Sequence, residues 1–319
     1  MVEELPLKNY LFLTSIVKWS ISSMKSSVNN MDEEKTFFSV IIPTYERPED
    51  LRKCLQSLAS EKQEGAPPYE LIVTDDSRTD ACKSLVSKEF PHVSWGKGKQ
   101  NGPAGNRNAG VARAQGEWIV FIDDDCIAQP GYLSAYCKAI GKNPSVGVLE
   151  GRIFPDRERE TWAEGCPANE QGGLFWTSNL CVKKSIFEEL GGMDEQFEVA
   201  YEDVDFARRL RDEDIPSLFV YDAATCHPWR SVRQGGLNNW KAKDYEAADF
   251  VRFLKKHNPK EREFSFLGYA RNLARMLTSD LITCARSYRF RGFDILFFQA
   301  LVTLKGMILI LRHNLSSGK

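Results

Sequence analysis

VFIDDDCI, residues 120–127, sets three adjacent carboxylates, Asp123, Asp124 and Asp125, directly behind the apolar run Ile119–Ile122. Like charges side by side repel, so the triplet calls for a counter-charge or a bound cation. Its position, at the end of what reads as a buried strand, argues against a merely solvated turn. The pattern repeats upstream. FFSVIIP, residues 37–43, is a continuous β-rich run of the kind covered on both faces. It breaks at Pro43, and RPEDLRKCLQSLAS then opens a helix with Pro48 at its start and Leu51, Leu55 and Leu58 along one side. After the GAPP loop, YELIVT predicts a second strand, DDSRTD a turn, and Ala81 to Phe90 a helix; HVSW predicts a short third strand. GPAGNRNAGVARAQG reads as loop and helix leading into EWIVFI.

This alternation predicts an α/β fold with a mostly parallel sheet and helices on both faces. Ligands of such sheets lie beyond the carboxyl ends of the strands. Thr44-Tyr45-Glu46, Asp75-Asp76 and Asp123-Asp124-Asp125 each follow a strand, so one crevice would gather them. Clustered oxygen ligands suit Mg²⁺ or Mn²⁺, and incomplete protein ligation of such an ion implies a phosphate-bearing substrate. A second acidic cluster lies in GGMDEQFEVAYEDVDFARRL, where Glu198, Glu202, Asp203 and Asp205 fall within eight residues. That exceeds what a helix start needs for capping. One of these carboxylates, held near the metal, could act as a general base.

Five stretches, in order, resemble the inverting family 2 glycosyltransferases of the GT-A fold, over roughly Phe37 to His227. FFSVIIPTYERPEDLRKCLQSL resembles the opening strand, turn and helix of the family. YELIVTDDSRTD resembles its V-D-D-x-S-x-D element without the usual glycine. NGPAGNRNAGVARAQGEWIVFIDDD resembles the block ending in D-D-D, with Asn106 in place of alanine. TSNLCVKKSIFEELGGMDEQF and YEDVDFARRL resemble the two later motifs, with Tyr201 replacing glycine. Each is weak alone; the series is specific.

The resemblance implies roles residue by residue. Pro43, Tyr45, Glu46, Asp75 and Asp76 would line the nucleobase and ribose pocket, with Arg107 near the base or diphosphate. Asp123 and Asp124 would lie near the ribose and metal, and Asp125 would ligate Mn²⁺ or Mg²⁺, with Asp123 and His227 as further metal contacts. Trp176 and Asn179 would adjoin the donor sugar or acceptor. Asp203 would be the catalytic base and Glu202 would orient the acceptor, while Trp229, Arg230 and Arg233 could close over the diphosphate. The expected activity is metal-dependent, inverting transfer of a sugar from a nucleoside-diphosphate sugar, UDP first, to a glycan or lipid-linked acceptor. A sugar nucleotidyltransferase should open with a G-x-G-T-R loop, which PTYERPED is not. A non-catalytic, nucleotide-sugar-binding scaffold is the other reading.

The ends of the chain carry a different signal. Of its 319 residues, Pro228 to Lys319 hold 17 Lys and Arg against 7 Asp and Glu, whereas Met1 to His227 hold 25 against 37. A basic tail beside an acidic body points to an anionic partner. NNWKAKDYEAADFVRFLKKHNPK predicts a helix stopped near Pro259, followed by two more that are apolar with interspersed Arg and Lys. FDILFFQALVTLKGMILIL includes Asp294, Gln299 and Lys305, so helices lying at a membrane interface are expected in preference to a span. Long apolar runs between the charges argue against nucleic acid. KNYLFLTSIVKWSISSMK places Leu13, Val17, Ile21 and Met24 on one helical face, and the polar VNNMDEEK after it reads as a linker. The expected division is an N-terminal extension over 1–35, a GT-A domain over 36–230 and a helical region over 231–319. Eight scattered cysteines without metal-like spacing read as reduced thiols of a cytoplasmic protein, peripheral on the membrane.

Overall fold

The computed structural model describes residues 36–231, 240–260 and 264–316. The amphipathic N-terminal stretch, the linker after it and Arg233 lie outside the described residues. Strand β1 (Phe38–Thr44) leads into α1 (Pro48–Ser57), β2 (Tyr69–Asp75), α2 (Ala81–Glu89), β3 (Ser94–Lys97), α3 (Pro103–Val111) and β4 (Trp118–Ile122). β3 begins two residues later than HVSW suggests, because the chain leaving α2 first turns back, Val93 N–H donating to Phe90 O at 2.9 Å. Then come β5 (Ile127–Ala128), α4 (Tyr132–Lys142), β6 (Val148–Pro155), β7 (Glu164–Gly165), β8 (Asn179–Lys183), α5 (Lys184–Glu189), α6 (Glu202–Asp212), β9 (Ser217–His227) and β10 (Arg230–Ser231).

One eight-stranded sheet runs in the order β3-β2-β1-β4-β8-β6-β9-β5. β1, β2, β3 and β4 pair in parallel, as do β6 and β9, while β8 runs antiparallel to both its neighbours. The sheet is therefore mostly parallel and helix-flanked. Val40 and Ile42 of β1 pack with Leu51, Leu55 and Leu58 on one face; Ile41 packs with Phe121, Phe187 and Phe206 on the other. Burial on both faces explains why these strands read as unbroken apolar runs. Order reverses at β1: the chain proceeds outward to β3, then returns to place β4 on the opposite side of β1. That switch point opens a crevice past the carboxyl ends of β1 and β4.

A helical extension completes the chain. α7 (Trp240–His257) stops at Asn258, whose φ is +44, just before Pro259. α8 (Phe266–Arg275) runs through a π-helical turn, Met276–Asp280, into α9 (Leu281–Tyr288). Arg289 and Phe290 in left-handed backbone, with Gly292, turn the chain into α10 (Phe293–Ser316). Within α10, Phe293–Leu315 is long and apolar enough to cross a membrane by length and composition, with a mean hydropathy of 1.9. One side of it, with Ile295, Leu296, Phe298 and Ile310, is buried in the protein. Phe293, Phe297, Leu304, Ile308, Leu311 and Leu315 form an exposed stripe on another side.

Candidate functional site

A cleft of about 660 Å³ opens at the switch point, lined by Pro43, Thr44, Tyr45 and Arg47 after β1, Asp76 and Arg78 after β2, Asn106 and Arg107 on α3, and Asp123 and Asp124 after β4. The three adjacent aspartates are each met by positive charge, with Arg47 shared between Asp124 and Asp125. Asp123 meets Arg107 Nη2 at 3.0 Å. Asp124 accepts from the Thr44 hydroxyl at 2.7 Å and from Arg47 Nη1 at 3.1 Å. Asp125 lies 3.3 Å from His227 Nε2, 3.0 Å from Arg230 Nε and 3.2 Å from Arg47 Nη1.

These surroundings split their acidities. Burial pushes Asp124 up to about 7, and Arg47 and Thr44 offset that only in part. Burial also works against ionised Asp125, but the hydrogen bond and charge of His227, with Arg47 and Arg230, outweigh it and hold Asp125 at about 2. Burial would lower His227, yet Asp125 lifts it to about 10, with the Pro228 carbonyl holding Nδ1 at 2.8 Å. The two shifts describe one ion pair. Asp76 is raised by burial.

Arg107, 6% exposed, joins the two acidic clusters: its Nη1 lies 3.0 Å from Glu202 Oε1. Glu202 and Asp203 open α6, and burial raises both carboxyls against the pull of Arg107. Asp123 adds to the rise of each, which puts the EDVD acids within electrostatic reach of the triplet. A carboxylate so raised is suited to accept a proton.

Pro43, Tyr45, Asp76, Arg107, Asp123 and Asp124 line the cleft. Four other residues expected there do not. Glu46, at φ +55, turns its carboxylate onto the Arg78 and Thr79 N–H groups and the Thr79 hydroxyl, clamping the turn after β2. Asp75 is fully buried and holds Ser77 N–H and the Trp95 indole. Asn179 is buried with its amide saturated: it accepts from Tyr132 and Tyr136 and donates to the Arg152 and Ala223 carbonyls. Trp176, half-buried, gives its carbonyl to Asn179 N–H at 3.1 Å. Glu202 is spent on Arg107, not turned outward to an acceptor. Trp229 donates its indole N–H to Arg157 O, and Arg230 spans Asp125 and Asp50. Arg47, Arg78, Gln100 and Asn106 line the cleft without having been singled out. Arg47 had a signal, since it follows the strand-end turn PTYE directly. Asn106 had one too, as a departure from the family pattern; its Oδ1 is buried with no protein partner.

Asp125, Cys126 and His227 bring potential ligand atoms within 4.8 Å of one another. Burial pushes the Cys126 thiol well above its ordinary value, so it stays protonated and is no ligand for a hard cation. Carboxylate plus imidazole remains, a pair that suits Mn²⁺ better than Mg²⁺ and that requires His227 to give up the proton its ion pair with Asp125 holds. All eight cysteines are free thiols.

Residues 39–187 match the family described as Glycosyl transferase family 2. A glycosyltransferase of Haemophilus influenzae is 27% identical over 238 residues, covering 68% of this chain and 78% of that protein. The GalNAc(5)-diNAcBac-PP-undecaprenol beta-1,3-glucosyltransferase of Campylobacter jejuni subsp. jejuni is 35% identical over 101 residues, 30% of this chain and 32% of that one. Mannosyltransferase PcManGT from Pyrobaculum calidifontis, solved with GDP-Man and Mn²⁺, matches with a TM-score of 0.55 at 16% identity, covering 86% of each chain. That likeness establishes a shared GT-A fold.

Proposed function

Residues 39–187 make this chain a family 2 glycosyltransferase, and from that premise we propose an inverting transfer of sugar from a nucleoside-diphosphate sugar, UDP first, to an acceptor hydroxyl. The observation that carries the reading is Arg107, which ties Asp123 at the end of β4 to Glu202 at the start of α6 and so supports a role for the next residue, Asp203, at the donor cleft. Tyr45 and Pro43 offer an apolar wall for the base, and Asp76 a carboxylate for its ribose side. Arg47 and Arg230 bring positive charge to the Asp125 end, where a leaving diphosphate would gather negative charge. Asp203 takes the proton of the acceptor hydroxyl as that oxygen attacks the anomeric carbon from the face opposite the departing nucleotide, which inverts the centre. A divalent cation held by Asp125 and His227, with Asp123 nearby, would supply Lewis-acid stabilisation of the leaving group.

A lipid-linked acceptor agrees with the undecaprenol-linked substrate in the name of the Campylobacter relative. The exposed stripe on α10 and the basic character of the tail support peripheral contact with an anionic membrane surface. Nucleoside-diphosphate sugars are incubated with the protein, with Mn²⁺ or with chelator, and free nucleoside diphosphate is measured. Metal-dependent release from one donor class is the expected result. No release from any donor, with or without membrane lipid, would remove the enzyme reading.

A further inference from the structure

One face of α7 is turned toward the segment that carries Asp203. Asp249, Phe250, Phe253, Lys256 and His257 recur at the spacing of a single helical side. Asp249 is 1% exposed, and its Oδ2 accepts the backbone N–H of Val199 at 2.9 Å and of Ala200 at 3.2 Å. Its other oxygen accepts from Arg252. The rings of Phe250 and Phe253 lie 5.6 and 5.7 Å from that of Tyr201. Lys256 reaches Asp194 and Asp205 at 2.7 Å each, and His257 Nε2 lies 2.7 Å from Asp205.

Apart from the Asp249–Arg252 pair within α7, each of these contacts falls between Asp194 and Asp205, around the start of α6. Tyr201 has φ +71, a left-handed backbone that costs a side-chain-bearing residue about 1–2 kcal/mol. The conformation persists because the aromatic cluster grips the ring from one side while Asp249 fixes the two peptide groups before it. Glu202 and Asp203 follow at once. α7 lies wholly beyond the residues that match the family, 39–187.

Resting on the reading of Asp203 as base, we propose that Asp249 is a positioning residue for sugar transfer: by holding the Val199 and Ala200 amides it fixes the turn at Tyr201 and thereby the place of Asp203 beside the Arg107–Glu202 pair. α7 is then part of the catalytic apparatus and not an appended element.

The test compares full-length Asp249→Ala and Asp249→Asn with wild type. Asp249→Ala is expected to lower kcat about a hundredfold with donor KM within about twofold, whereas Asp249→Asn, which keeps an acceptor oxygen, stays within about fivefold of wild type. A rise in donor KM as large as the fall in kcat, or an Asn variant as impaired as the Ala variant, overturns the proposal and leaves Asp249 as a partner of Arg252 alone. Amide hydrogen exchange gives a readout that needs no substrate. Val199 and Ala200 should exchange faster in Asp249→Ala, and unchanged exchange also overturns the proposal. Wild-type protein without transferase activity would sink the function above while leaving this exchange test intact.

Discussion

The Arg107 guanidinium lies 3.0 Å from Glu202 and, through its other terminal nitrogen, 3.0 Å from Asp123. One buried cation thus spans acids that are 79 positions apart in the chain. Removing it strands the buried Glu202 carboxylate and leaves Asp123, on the open cleft, without its partner. Arg107→Ala should therefore lose about 3–5 kcal/mol of stability, read by urea unfolding. Arg107→Lys offers a single point of charge and should recover only part of this. An alanine variant as stable as wild type would mean that the bridge holds nothing together.

Asp203→Asn removes the proposed base while keeping size and hydrogen bonding. Turnover is expected to fall by about 10²–10⁴ with nucleotide-sugar affinity retained, measured by product release and by calorimetric titration. Affinity lost in step with turnover would contradict the assignment.

Acidity offers an independent handle. Burial lifts Asp124 to about 7 in the folded protein from an ordinary value of 3.8. An acid raised on folding contributes stability that is fully present below its unfolded pKa and is lost as pH rises through the folded one. Between about pH 3.8 and about pH 7, wild type should lose stability relative to Asp124→Asn, followed by unfolding at several pH values. Asp125, held near 2 by His227, Arg47 and Arg230 against its burial, has the opposite sign, and its contribution disappears only as the solution becomes strongly acid. Parallel curves for wild type and Asp124→Asn would refute the environment described for Asp124.

Thermal stability can report the cation. With nucleoside diphosphate present, saturating Mn²⁺ at 100 times its Kd should stabilise wild type by about 2.7 kcal/mol. Asp125→Asn and His227→Ala should each abolish that increment while leaving a basal melting transition. An undiminished Mn²⁺ effect in both variants would move the ion elsewhere.

The apolar stripe of α10 predicts lipid binding. Charge placed at Phe297, Leu304 and Ile308 should strip the protein from anionic vesicles in co-sedimentation, with its fold unchanged by circular dichroism. Vesicles without anionic lipid should retain less wild-type protein, because the tail is basic. Equal sedimentation of variant and wild type would assign that stripe another use.

Much of the cleft's lining could be read in advance because most of its segments follow an apolar strand. Pro43, Asp76 and Asp123 are recognisable by that position alone. Glu46, Asp75 and Asn179 look equivalent in one dimension, yet they serve turns and the core. Whether a polar side chain faces a cleft or a neighbouring amide depends on backbone direction, here the left-handed φ at Glu46. α4 and β6 could not be placed from pattern, since they lie between motifs, and the acid that follows β6, Asp156, accepts the Trp229 backbone N–H. The link from α7 to Tyr201 was invisible for a further reason. It joins a helix to a substituted glycine position more than forty residues away, and no local periodicity encodes such a pairing.

The aromatic grip on Tyr201 also bears on how the molecule comes apart. Because Phe250 and Phe253 close around Tyr201, the tail cannot peel away without releasing a strained peptide next to Glu202 and Asp203. Melting should accordingly proceed as one cooperative event across both regions, and a fragment ending near residue 231 would lose the brace behind Glu202 and Asp203.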